Sequence, residues 1–388
     1  MALRFLVALA ACGVLLAACT PDTVVVQGAP RPVATTEPPA TTAAPTSTSA
    51  PTTTAPPAAV STGLAVIPPG GVPVFAQAGG DAEYFIHEGV LLGFAARDSG
   101  FLEVVTTCND TMWVRERDVE VIPRSRNASA PGATDVAQAT IVVDPGHGSR
   151  DWGGVGPTGL AEKEANLDIS DRVRRLLESS HDVDWVTGLI TPGTSVPAAA
   201  AVWLTRDPAG PSDGDYELGL AYRSHIANSA GADVFVSIHN NTVPTSNVSG
   251  PGSDVFYAWS VAQSDRLASL IHQELLRSFR SFEADWKGGL ILGARARIDP
   301  DTETDYYGIL RRAEMPAVIV EGAYISEPEE EALLRTAAFR QAYADGVYRG
   351  IVRFLTTEQF GEKVNDPELF TSDAGTVNTS ACQVPEQP

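Results

Sequence analysis

The chain is short of positive charge. Its 388 residues carry 27 Lys and Arg against 48 Asp and Glu, a formal net charge of −21. That leaves no basic face for a phosphate backbone and argues against a nucleic-acid partner. Past the N-terminus no apolar run reaches the roughly 18 residues of a spanning helix, so no membrane span is expected in the mature chain. Cysteine is scarce, with four in all. Cys12 and Cys19 belong to the N-terminal apolar segment, which leaves Cys108 and Cys382 as the only thiols after it. In an oxidising compartment these two can pair, though nothing in the sequence shows that they meet. Residues 20–60 lack charge beyond Asp22, Arg31 and Glu37 and are rich in Pro, Thr, Ala and Ser. Such a stretch cannot bury enough apolar surface to offset its ordering entropy. What remains has the 44% hydrophobic content of ordinary globular chains and length for two to three domains.

In chain order, residues 1–19 read as a targeting segment, with Arg4 ahead of an apolar stretch too short to span a bilayer. It ends Leu16-Ala-Ala-Cys19, which resembles a bacterial lipoprotein signal with Cys19 as the lipidated residue. This implies an exported chain anchored to a membrane facing the cell wall, on the inner or the outer membrane. Residues 20–60 then form a tether reaching on the order of 120 Å when extended. Residues 61–124 hold short apolar runs (72–75, 90–94, 101–105, 112–115 and 119–122) between Gly, Asp and Asn turns, the pattern of a small all-β barrel. Its end, residues 113–122, resembles the last strands of a bacterial SH3-like domain, for which packing and wall binding are both open roles. Residues 125–138 read as a linker and 359–388 as a polar tail. Residues 139–358 alternate apolar runs with helical patterns, so the fold class is α/β, a mostly parallel sheet flanked by helices.

The chemistry gathers at strand ends. The run Ile141-Val-Val143 stops at Asp144-Pro-Gly146 and delivers His147; the run from Asp233 to Ile238 delivers His239; Pro316 to Val320 delivers Glu321. If these are parallel neighbours, two imidazoles and a carboxylate share the carboxyl rim, where open α/β sheets bind ligands. A Gly-rich loop, 148–159, leads into a helix whose inward stripe is Ala165, Ile169, Val173, Leu176 and Leu177. Two turns back from Ile169 the stripe reaches Glu162. Glu164, Asp168, Asp171, Arg175 and Glu178 share the solvated face. Glu162 alone could be a first-turn acid favoured by the helix dipole. With His147 and His239 it completes the ligand set of hydrolytic Zn²⁺ sites that keep a position open for water. A zinc-bound water has a pKa near ~7, and Glu321 is placed to accept its proton and pass it to a leaving amine.

The motifs Val143-Asp-Pro-Gly-His-Gly148, Glu162-Lys163 with Asn166-Leu167, Leu204-Thr-Arg206, Leu220 with Arg223, Ala227-Asn228, Ser237-Ile-His-Asn240 and Pro316-Ala-Val-Ile-Val-Glu-Gly322 follow one another along the chain. In type and order they resemble the zinc-dependent N-acetylmuramoyl-L-alanine amidases of the amidase-3 family, over about residues 139–355. The resemblance implies hydrolysis of the amide between N-acetylmuramic acid and L-alanine in peptidoglycan. It carries zinc onto His147, Glu162 and His239 and the catalytic carboxylate onto Glu321.

Departures from the family pattern are the Gly-Ala-Tyr-Ile-Ser-Glu stretch after Glu321 and two long segments, 188–202 and 281–307. The second is acidic, holds Trp286, Arg295 and Arg297, and reads as a surface insertion, with a cover over the cleft as the alternative. Arg223 reads as a brace for the helix before Asp233, with substrate contact as the alternative, and Trp152 as a possible sugar-stacking group. His87, His181, His225 and His272 read as structural or surface. Two other functions stay open: a zinc endopeptidase cutting within the stem peptide, and a non-catalytic wall-binding lipoprotein. An activating partner is left open.

Overall fold

Glycine turns and β-branched or aromatic runs divide residues 63–123 into seven short strands: β1 (Gly63–Val66), β2 (Val72–Phe75), β3 (Ala82–Ile86), β4 (Leu91–Asp98), β5 (Phe101–Val105), β6 (Thr111–Arg115) and β7 (Glu120–Pro123). They form one sheet in the order β3-β2-β6-β5-β4-β1-β7, with every pairing antiparallel. The β4–β5 connection is two residues, Ser99 and Gly100, both at positive φ (47° and 82°). That turn matches the twist of a tight hairpin. Leu102 and Val104 are wholly buried between less buried neighbours, the alternation of a half-buried strand. The computed structural model describes residues 62–124, 135–206, 219–362 and 364–371, all within one compact unit. The targeting segment with Cys19, the tether 20–60 and Cys382 lie outside the described residues. Cys108 is disulfide-bonded. No helix among the described residues is long and apolar enough to cross a membrane.

The second part begins with β8 (Thr140–Pro145), α1 (Glu162–Leu177), the hairpin β9 (His181–Val183) and β10 (Ile190–Pro192), and β11 (Ala201–Leu204). It continues with α2 (Leu220–Ala230), β12 (Val234–Asn241), β13 (Ser246–Asn247), β14 (Asp254–Tyr257) and α3 (Ser264–Phe279). Next come β15 (Lys287–Gly288), β16 (Gly293–Arg295), β17 (Arg297–Asp299), β18 (Thr304–Asp305) and α4 (Gly308–Arg311). The last elements are β19 (Ala317–Tyr324), α5 (Pro328–Leu334), α6 (Ala337–Thr356) and β20 (Glu368–Leu369). The main sheet runs β11-β8-β12-β19-β14-β16. Its first four strands are parallel, β14 is antiparallel to β19, and β16 is parallel to β14.

Because successive strand residues point to opposite faces, each face has its own core. Val143, Val236, Ile238, Val255 and Val320 pack with α1, α3 and α6 through residues such as Ile169, Ile271 and Val347. Val142, Phe235, Phe256 and Ile319 pack with Tyr222 and Ile226 of α2, and that core continues into Leu92, Phe94 and Val104 of the β strands.

The structure differs from the sequence reading in four places. Val136, inside the expected linker, is buried in the first core. Residues of the expected polar tail join a separate three-stranded sheet, β18-β17-β20, where β20 pairs with β17 and Arg297 donates to Glu368 at 3.1 Å. Segment 281–307 is no loose insertion. Trp286 stacks on Phe279, Arg295 forms a buried pair with Asp254 at 2.6 Å, and β16 extends the sheet. Asp171 is buried rather than solvated, because Arg174 and Arg175 of its own helix close over it.

Candidate active site

β8, β12 and β19 lie side by side, so the three chemical residues come to one rim. His239 and Glu321 are register partners across β12 and β19, and Pro145 is the partner of Ile238 on β8. The two side chains lie within their strands rather than after them. β12 runs on to Asn241 and β19 to Tyr324.

His147 leaves β8 in the left-handed region (φ 61°), as does Ser149 (φ 53°). For a non-glycine residue such backbone costs about 1–3 kcal/mol and persists only where the surroundings hold it. Arg223 of α2 does the holding. Its buried guanidinium donates to Asp144 Oδ1 at 2.7 Å, to the Pro145 carbonyl at 2.9 Å and to the His147 carbonyl at 2.6 Å. Asp144 also accepts from Ser237 at 2.6 Å and from Thr205. Burial alone would raise the Asp144 carboxyl, but the Arg223 charge and these hydrogen bonds outweigh it and hold the group below the usual carboxylate range. Gly146 is required by contact, since a Cβ there would sit 2.2 Å from His239 Nε2.

Glu162 opens α1 with its side chain buried against both imidazoles. Oε2 lies 3.1 Å from His147 Nε2, and Oε1 lies 3.2 Å from His239 Nδ1. The carboxylate also accepts from the Gly154 amide at 2.7 Å, the Asn240 amide at 2.9 Å and Asn166 Nδ2 at 3.2 Å. Burial alone would raise the Glu162 carboxyl, but the hydrogen bonds and charges of His147 and His239 outweigh it and hold the group well below the usual carboxylate range. His147 Nδ1 is fixed by Asp151 at 2.8 Å. Burial would lower the His147 imidazolium, but the hydrogen bonds to Asp151 and Glu162 outweigh it and push its pKa up to about 10.

One donor atom from each of His147, Glu162 and His239 lies within 4.8 Å of the others, a set that can hold a metal ion. The closest donor separation, 3.1 Å between His147 Nε2 and Glu162 Oε2, approaches the roughly 3.3 Å expected between two ligands ~2.0–2.1 Å from a tetrahedral Zn²⁺. The His147–Asp151 contact is the carboxylate-on-imidazole arrangement that orients metal-binding histidines. The residues fit a zinc ion.

Glu321 stands on the next strand with Oε2 wholly buried and without a hydrogen-bond partner among the described residues. Burial, and after it the charge of Glu162, push its carboxyl well above the ordinary value. An acid held so, beside two imidazoles and a second carboxylate, is suited to moving a proton. Glu164, two positions beyond Glu162, is exposed, as the helical stripe requires.

Sequence reasoning missed Asp144, Asp151, Asn166 and Asn240 as supports. Asn166 and Asn240 sat inside the motifs without a role, and nothing near Asp151 marked it. Arg223 braces the His147 turn, not merely its own helix. Trp152 is exposed, with Lys163 Nζ 5.0 Å over its ring. His272 is buried with Nε2 3.1 Å from the Ser253 carbonyl, and His225 packs beneath Gly93.

A mostly parallel sheet with a histidine–glutamate–histidine cluster and a further acid at its carboxyl rim defines an α/β protein with a candidate metallohydrolase centre. The family model described as N-acetylmuramoyl-L-alanine amidase matches residues 141–353, and the chain belongs to that amidase-3 family. Among curated relatives it is similar to N-acetylmuramoyl-L-alanine amidase AmiA of Escherichia coli K12, 29% identical over 266 residues, covering 61% of this chain and 83% of that protein. It is also similar to N-acetylmuramoyl-L-alanine amidase LytC of Bacillus subtilis 168, 31% identical over 221 residues, covering 56% of this chain and 36% of that protein. A solved structure, amidase AmiC2 of Nostoc punctiforme, is 27% identical and covers 56% of this chain and 97% of that one, with a TM-score of 0.41.

Proposed function

We propose that this chain hydrolyses the amide between N-acetylmuramic acid and L-alanine with zinc held by His147, Glu162 and His239 and with Glu321 as general base and acid. Peptidoglycan amidase activity is the property of the family to which the chain belongs, and zinc dependence is a family trait. The observation that carries the residue assignment is the convergence of the three donors within 4.8 Å, with the unpartnered Glu321 oxygen on the neighbouring strand. When bound, zinc supplies an activated water and a Lewis acid for the carbonyl. Among the chain's own groups, Asp151 orients His147, and the Gly154 and Asn240 amides hold the Glu162 carboxylate in place. Glu321, as the carboxylate, would accept a proton from the attacking water and, once protonated, give it to the leaving amine; its burial favours that uptake.

We further read the N-terminal 19 residues as a lipoprotein signal with Cys19 lipidated, 20–60 as a tether, 61–124 as an SH3-like domain and 139–358 as the catalytic domain, exported to the cell envelope. Cys382 is the partner we assign to the disulfide-bonded Cys108 in that compartment. The test is digestion of purified peptidoglycan by the full chain, with metal content measured in the same preparation. Released peptides should be intact and begin with L-alanine, alongside about one zinc per chain. Peptides cut internally would mean an endopeptidase, and absence of both products a wall-binding protein. Mass analysis of the exported chain's N-terminus tests Cys19: an unmodified start at another residue removes the anchor.

A further inference from the structure

The seven-stranded β domain packs on α2, the helix that carries Arg223. Helix α2 is preceded by Gly219 at its N-cap, whose residue type offers no side-chain cap, and four N–H groups of a helix start need outside partners. Two of the partners come from the β5–β6 turn. The Thr107 carbonyl accepts from the Gly219 amide at 2.8 Å, and Asn109 Oδ1 accepts from the Tyr222 amide at 3.1 Å. Asn109 itself is held at φ 68° to present that oxygen. One turn is thus shaped to cap a helix more than a hundred residues away.

The seating is close elsewhere. Tyr222 donates its hydroxyl to the Leu91 carbonyl of β4 at 2.8 Å. At Gly93 a Cβ would lie 2.7 Å from the His225 carbonyl and 2.6 Å from Ser229 Oγ, so only glycine lets the strand lie against the helix. The residue following Tyr222 is Arg223, whose guanidinium grips the carbonyls of Pro145 and His147 on either side of the left-handed turn.

We propose that the β domain is a splint for the catalytic rim: its β5–β6 turn fixes the start of α2, and α2 through Arg223 fixes the backbone of His147. Arg223 and Asn109 are positioning residues, not catalytic ones. The proposal rests on the reading of His147 as a metal ligand only for its effect on zinc, and its mechanical part can be measured without metal.

The experiment uses the full chain and two variants, Asn109→Ala and Arg223→Lys. Lysine keeps a charge beside Asp144 but cannot span Asp144 and both carbonyls as the guanidinium fork does. Amide hydrogen exchange is followed at residues 146–149 and in the first turn of α2 on metal-stripped protein. Zinc affinity is then measured by competition with a chromophoric chelator. Both variants are expected to speed exchange at 146–149 while the β strands stay protected. Arg223→Lys should weaken zinc about tenfold to a hundredfold, the usual effect of losing an outer-shell support, with kcat falling more than KM rises. Unchanged exchange at 146–149 in Asn109→Ala, whether or not α2 loosens, overturns the splint. If Arg223→Lys does not fold, Asn109→Ala decides alone. Absence of zinc from the wild-type chain would sink the metal assignment instead, and the exchange data would still judge the splint.

Discussion

Replacing Glu162 by glutamine changes one oxygen for an NH2 group, yet the structure makes it a severe perturbation. Both carboxylate oxygens accept a backbone amide, Oε2 from Gly154 and Oε1 from Asn240. Whichever way a glutamine amide is turned, its NH2 faces one of those N–H groups, leaving a buried donor unsatisfied at about 1–3 kcal/mol. The lost negative charge also frees His147 and His239 from their common partner, and charge-assisted hydrogen bonds are worth about 1.5–3 kcal/mol each. A net loss of about 3 kcal/mol in the metal-free protein is expected, together with loss of zinc and of turnover. Glu164→Gln, on the exposed side of the same helix turn, should stay within about 0.5 kcal/mol of wild type. Denaturant unfolding of the metal-stripped proteins, with metal content and peptidoglycan digestion of the loaded ones, measures all three quantities. Equal losses in the two variants, or a Glu162→Gln chain as stable and zinc-loaded as wild type, would refute the reasoning.

Glu321→Gln should keep zinc and fold but lose turnover by about 10²–10⁴; near-normal turnover would make another group the base, and loss of zinc would make Glu321 a ligand. Gly146→Ala should displace the His239 ring, which a Cβ would meet at 2.2 Å, and so lower zinc affinity, with wild-type affinity as the refuting result. Because the folded pKa of Asp144 is depressed, its contribution to stability is present above the unfolded value near ~3.9 and is lost as pH falls through the folded one. Denaturant midpoints should therefore drop on acidification below about pH 4, and Asp144→Asn should flatten that drop while lowering stability at neutral pH. An equally steep drop in the variant would show that other carboxylates carry it.

The rim was legible because apolar β-branched runs stop abruptly at chemically distinctive residues. Ile141–Val143 before His147 and Val318–Val320 before Glu321 are patterns that burial on both faces imposes on a parallel strand. The strand ends were not legible. Asn240 and Asn241 have poor strand propensity and belong to β12 because the Asn240 amide binds Glu162 and the Asn241 carbonyl accepts from Ile325. The helical stripe separated Glu162 from Glu164 correctly, since 3.6-residue periodicity is a local property. It misplaced Asp171, whose burial comes from two arginines of the same helix folding over it, which hydrophobic periodicity does not record. The pairs Arg223–Asp144 and Arg295–Asp254 join residues 79 and 41 positions apart. No window of sequence shows such pairs, so segment 281–307 read as an insertion although its β16 completes the sheet.

These long-range pairs change what the site residues mean energetically. Donors as close as 3.1 Å do not assemble by propensity: His147 adopts a disfavoured backbone, Glu162 is an anion taken out of water, and Glu321 is an acid with a bare oxygen. Each is a cost when considered alone. The first two are offset by contacts from other elements, Arg223 of α2 on the His147 carbonyl and the Gly154 and Asn240 amides on Glu162, while the Tyr343 hydroxyl of α6 holds the His239 carbonyl at 2.8 Å. The ligands and their supports therefore form one cooperative arrangement. Changes at the supports should disturb zinc binding and turnover before they unfold the sheet, because, Tyr343 apart, none of these groups belongs to the apolar cores on its two faces.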